Sequence, residues 1–154
     1  MDRRPLRLHW TDRHATGVRP VDDDHQVMVI LYNDFSRAME SRASPVCAAG
    51  AFDILAAHIR SHVVREDGLL LHRGLILPPQ RRIARHDFRA IADIVHASLN
   101  ADRDRPAAAA SLRDWICEHL SADHALLVPR PSDEGLCCRS SALPSLSMTA
   151  HTPV

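Results

Sequence analysis

Phe52-Asp53-Ile54-Leu55-Ala56-Ala57-His58-Ile59-Arg60-Ser61-His62-Val63-Val64-Arg65-Glu66 is the stretch from which the fold is read. Phe52, Leu55, Ile59 and Val63 recur at steps of three and four, the period of an amphipathic helix. His62 and Glu66 are four apart, which sets an imidazole and a carboxylate side by side on one helix face. The same couple returns as His119 and Asp123, while His25, after Asp22, and His86 stand in two other segments of helical period. Four helical segments that each offer such a group form the arrangement in which a helix bundle builds a two-metal site in its core.

Working outward, the first helix is expected from about Asp22 to Ser41, opened by Asp22-Asp23-Asp24, whose charges suit a helix N-terminus. The quoted stretch belongs to a second helix from about Ala48 to His72, which Gly74 and Pro78-Pro79 end. A third follows the prolines with Ile83, His86, Ala90, Ile94 and Ala97 on one stripe. The fourth starts near Pro106, carries Leu112, Trp115, Ile116, His119, Leu120 and Asp123, and stops before Pro129 and Pro131. The fold expected is all-α: an up-down-up-down four-helix bundle over residues 21–128, preceded by an arm over 1–20 anchored by Trp10. Residues 129–154, rich in Ser, Pro and Thr without a hydrophobic period, read as a disordered tail.

Composition narrows the function. With 154 residues and 45% hydrophobic side chains there is room for one domain and one core. Nineteen arginines, no lysine and nineteen acidic residues leave no net charge, so no field draws nucleic acid or an anionic membrane surface. No apolar run approaches the roughly 20 residues of a bilayer span, and the start Met1-Asp2-Arg3-Arg4 leads into no apolar signal core, so a cytoplasmic setting is expected. Cys47, Cys117, Cys137 and Cys138 show no CxxC spacing and suggest neither a zinc knuckle nor a disulfide framework.

Several motifs in order resemble the bacterial hemerythrins. Trp10, Gly17 and Val21-Asp22-Asp23-Asp24-His25 resemble the family's opening tryptophan, glycine and I-D-x-Q-H, with Asp24 where glutamine is usual. His62-Val63-Val64-Arg65-Glu66-Asp67 resembles its H-F-x-x-E-E, and Trp115 through His119 to Asp123 resembles its closing W-x-x-x-H-I segment. Arg82 through His86 to Phe88 stands where the third helix carries two histidines. The resemblance implies a bundle with two iron ions in a non-haem di-iron centre that binds dioxygen reversibly. His25 and His62 would ligate one iron, His86 and His119 the other, and Glu66 and Asp123 would bridge them. Imidazole and carboxylate suit iron in this role.

Two departures bear on that set. Arg82 occupies an expected histidine position, and a guanidinium has no lone pair for a metal, so one ion would lose a protein ligand. In the last helix the family separates histidine and aspartate by five residues; here His124 stands at five, and Asp123, at four, is taken as the ligand. His58, one turn before His62, is expected beside the site rather than in it, and Asp53 and Asp67 are expected to face solvent. An oxygen-binding carrier or sensor, with no catalytic residue assigned, is the leading expectation. The alternatives are an oxidase or peroxidase-like di-iron enzyme, with the site opened by the lost ligand, and a bundle with a partial metal site kept as an interaction module. Oligomeric state and redox partner are left open.

Overall fold

Helix α1 (Arg19–Glu40) follows a short 3-10 turn at Asp12–His14, and α2 (Pro45–His72), α3 (Pro79–Ala101) and α4 (Arg105–Leu127) complete the secondary structure of this computed structural model, which describes residues 7–40, 44–101 and 104–128. The expected tail, with Cys137 and Cys138, lies outside the described residues. There is no strand among the described residues. Helix α1 packs on α2 and α4, and α3 packs on α4 and α2, so each helix touches its neighbours in sequence and the last closes back on the first. Connections this short between long helices give the up-down-up-down bundle.

The ends follow local chemistry. Ser44 caps α2 by accepting a hydrogen bond from the Cys47 amide at 3.4 Å, with Pro45 in the first turn where its missing N–H is no loss. At the other end Gly74 takes φ +73°, and the amides of Gly74 and Leu75 reach back to the carbonyls of Leu71 and Leu70. That pair of bonds satisfies carbonyls the helix leaves open, and it needs a residue tolerant of left-handed backbone. Asp22 ties the arm to α1: its carboxylate accepts hydrogen bonds from the Thr16 amide and hydroxyl (2.7 and 2.8 Å) and from the Gly17 amide (3.1 Å).

The core below the site is apolar and closely filled: Met28, Tyr32, Phe35, Phe52, Leu55, Ile59, Leu112, Ile116 and Leu120 are all buried. Tyr32 donates its hydroxyl proton to the Ala109 carbonyl at 3.2 Å, and burial pushes its phenol up to about 12. It is the one tyrosine in the chain. A spectrophotometric titration of the folded protein should therefore show the phenolate appearing near pH 12, and near the ordinary value of about 10 in denaturant. Because the folded value is the higher one, its stabilisation is present below about pH 10 and is lost as the pH rises toward 12. An ordinary titration in the folded protein would mean that Tyr32 is not buried.

Helix α3 departs from the expected face. Ile83, His86, Ala90, Ile94 and Ala97 are exposed, while Phe88, Val95, Ser98 and Leu99 are buried with Ile91 and Ala92 against them. Both stripes run at steps of three and four, about 140° apart on the helix. The wider apolar set wins: Phe88 packs on Trp115 with ring centroids 4.9 Å apart, and the Trp115 indole N–H donates to the Ala84 carbonyl at 2.9 Å. This rotation decides what α3 brings to the site.

Candidate metal centre

Three helices converge on one point. His25 of α1, His62 of α2, and His119 and Asp123 of α4 are buried, and each offers one ligand atom such that all four lie within 4.8 Å of one another. The His62 and His119 Nε2 atoms are 3.0 Å apart, and Asp123 Oδ2 lies 3.1 Å from His119 Nε2 and 3.3 Å from His25 Nε2. Glu66, 2% exposed, stands beside them with Oε2 at 3.6 Å from His62 Nε2 and 4.0 Å from His119 Nε2. The i,i+4 spacings 62/66 and 119/123 put each couple on one face, as helix geometry requires.

Neighbouring groups fix the rings. Asp24 Oδ2 lies 3.2 Å from His62 Nδ1 and itself accepts hydrogen bonds from Arg65 at 2.8 and 3.1 Å, which directs the other nitrogen of His62 into the cluster. The Trp115 ring stacks on His119 at 5.2 Å and 7°. His58 points to the Asp24 carbonyl, 2.9 Å from its Nε2, so it lies beside the cluster without joining it. Burial, helped by His25, lowers His62 to about 4, and burial first of all lowers His119 to about 3. Both rings are therefore neutral at pH 7 and keep a lone pair for a cation. Burial pushes Asp123 up, but His25, His119, Glu66 and Arg81 outweigh it and hold the carboxyl below its usual range; burial and Asp123 push Glu66 up.

The donors fit one metal ion. Neither ring nitrogen of His25 makes a hydrogen bond, and neither does Asp123 Oδ2 or Glu66 Oε1, though all four atoms are buried. Buried polar atoms are nearly always satisfied, and two of these orphans, His25 Nε2 and Asp123 Oδ2, lie at the convergence point. A cation there would satisfy them; imidazole and carboxylate together accept iron, zinc, copper or nickel.

The donors do not fit a second ion. Arg81 enters the site from α3, its Nη1 2.7 Å from Asp123 Oδ1, its Nη2 paired with Glu66 Oε2 and its Nε 2.9 Å from Asp67 Oδ1. Arg85, one turn on, pairs with Asp67 Oδ2. A guanidinium therefore sits on the carboxylates that the sequence reading assigns as bridges.

Of the six residues expected as ligands, the structure brings together His25, His62, His119 and Asp123, with Glu66 adjacent. His86 is not among them: it is exposed and lines a separate groove with Arg82, Phe88 and His96 between α2 and α3. Arg82 is exposed as well, so the arginine that matters is Arg81. The cause is the rotation of α3 about Phe88. Asp67, expected in solvent, is 8% exposed and doubly paired with arginine. Asp123 rather than His124 faces the cluster, because His124 Nδ1 is turned to the Ala15 carbonyl at 3.0 Å. Sequence reasoning missed Arg81, Asp67 and the orienting role of Asp24; the stripe Arg81, Ala84, Phe88, Ile91, Val95 was the available signal for the first.

A groove of about 710 Å³ between α3 and α4, lined among others by Arg81, Ala84, Trp115 and Ala122, reaches His119 and Asp123 from outside. No helix among the described residues is long and apolar enough to cross a membrane. The chain matches no family model, no curated protein and no solved structure at a significant level, so its functional reading rests on the geometry of this centre.

Proposed function

We propose that this protein holds a redox-active metal ion, iron on the hemerythrin resemblance, in the bundle core and presents it to dioxygen or a ligand of similar size. The observation that supports this reading is the convergence of four buried donors, three of them imidazoles, of which His25 Nε2 and Asp123 Oδ2 lack any hydrogen bond. Bound iron would supply a site for a diatomic ligand. The chain's own residues do the rest. His25, His62, His119 and Asp123 hold the cation from three helices, so the bundle fixes their spacing before it arrives. Asp24 orients His62, and Trp115 holds the plane of His119. Met28, Phe52 and Leu120 keep water from the interior below the site. The groove beside Trp115 gives a small molecule a way in from the α3–α4 side. A cytoplasmic setting suits the reading, since it keeps the exposed thiols of Cys47 and Cys117 reduced and ferrous iron accessible.

The volume of that groove also favours a second reading, in which an organic reductant enters and the centre turns over as an oxidase or peroxidase. Steady consumption of hydrogen peroxide would separate it from a carrier. Anaerobic loading with ferrous iron, desalting and elemental analysis tests the shared premise. The expected result is retained iron in a stoichiometric amount, with a new visible absorption band when air or nitric oxide is admitted. A folded helical protein that retains neither iron nor zinc would overturn the reading.

A further inference from the structure

Arg81 is the least expected feature of the centre. Its side chain is 12% exposed and its three guanidinium nitrogens each engage a different carboxylate, those of Glu66, Asp67 and Asp123. One of these carboxylates divides its oxygens. Asp123 gives Oδ1 to Arg81 and turns Oδ2 to His25 and His119, while Glu66 sets its Oε2 between Arg81 on one side and His62 and His119 on the other. A carboxylate used in this way bridges two cations, one on each side. Here one of the two is a side chain. Arg81 lies seven residues and Arg85 three residues before Phe88, so the side of α3 next to the site carries the largely buried guanidinium of Arg81, the exposed one of Arg85 and no imidazole.

We infer that the Arg81 guanidinium is a built-in replacement for a second metal ion, so that the centre is mononuclear: one exchangeable cation in the His25, His62, His119 and Asp123 cage, and one fixed organic cation on Glu66, Asp67 and Asp123. The reasoning is electrostatic and geometric. A planar fork with five donors matches carboxylate oxygens, stays charged at every accessible pH and has no lone pair for a metal. To enter, a second dication would have to expel Arg81 from all three partners and would find no third-helix imidazole waiting. A metal in that position could also change its charge during a reaction; the guanidinium cannot. The centre therefore has one redox-active cation at most, which separates it from a two-iron carrier.

This inference rests on the metal-binding reading above, and the test keeps the two apart. Wild type, Arg81→His/Arg85→His, Arg81→Lys and Arg82→His proteins would be loaded with ferrous iron, and in parallel with zinc, then desalted and analysed for metal per chain, with circular dichroism to confirm helicity. The expected result is one ion per chain for wild type, Arg81→Lys and Arg82→His, and two for the double variant, where imidazoles replace the guanidinium groups. Two ions on the wild type would overturn the inference while leaving the metal-binding reading in place. A folded double variant that still holds one ion would also overturn it. No ion on the folded wild type would overturn the metal-binding reading and this inference with it. Should the double variant fail to fold, the wild-type count against Arg81→Lys still decides, since a count of two on either shows that the fixed cation does not exclude the second ion.

Discussion

An Arg81→Met protein, prepared free of metal, should be about 3–5 kcal/mol less stable than wild type, with a melting temperature lower by on the order of 10 °C. Methionine keeps much of the volume but removes the charge. Glu66 and Asp123 are 2% and 1% exposed and would be left together in the core with no cation between them. Removing one partner of a buried ionic cluster exposes the whole desolvation penalty of the others, which is why the effect exceeds that of a surface pair. Adding Glu66→Gln should recover part of the loss, because it removes one of the two carboxyl groups left crowded together there. Calorimetry of the three metal-free proteins measures this directly. A loss under about 1 kcal/mol would mean that Arg81 contributes no more than an exposed ion pair.

His25→Leu should act in the opposite sense on stability while abolishing metal retention. His25 is fully buried between Trp10, His62 and His119, yet neither ring nitrogen completes a hydrogen bond. Replacing it by an apolar side chain of similar size removes an unsatisfied polar group, a gain of up to about 1–3 kcal/mol for the metal-free protein. The same change takes away one of four converging donors. Wild type should gain about 2.7 kcal/mol at a metal concentration a hundred times the dissociation constant; the variant should gain nothing. A histidine kept for packing would show the reverse pattern, with a destabilised variant and unchanged metal content. Opposite signs in the two measurements therefore identify a residue retained for a ligand at the expense of the fold.

The sequence by itself determined the bundle and most of one half of its centre. Helix periods, Gly74, Pro78-Pro79 and Pro106 place the four helices to within a few residues, because those signals are local and each acts on its own turn of chain. The couples His62/Glu66 and His119/Asp123 are legible for the same reason: a spacing of four means one face whatever the helix packs against. What only the tertiary structure decided is the rotation of α3. Two stripes at helical spacing compete there, and the choice between them is made by Phe88 meeting Trp115 and by Arg81 meeting three carboxylates from α2 and α4. Those partners lie far away in the chain, so no window of sequence around residue 86 contains the energy that turns His86 outward and Arg81 inward.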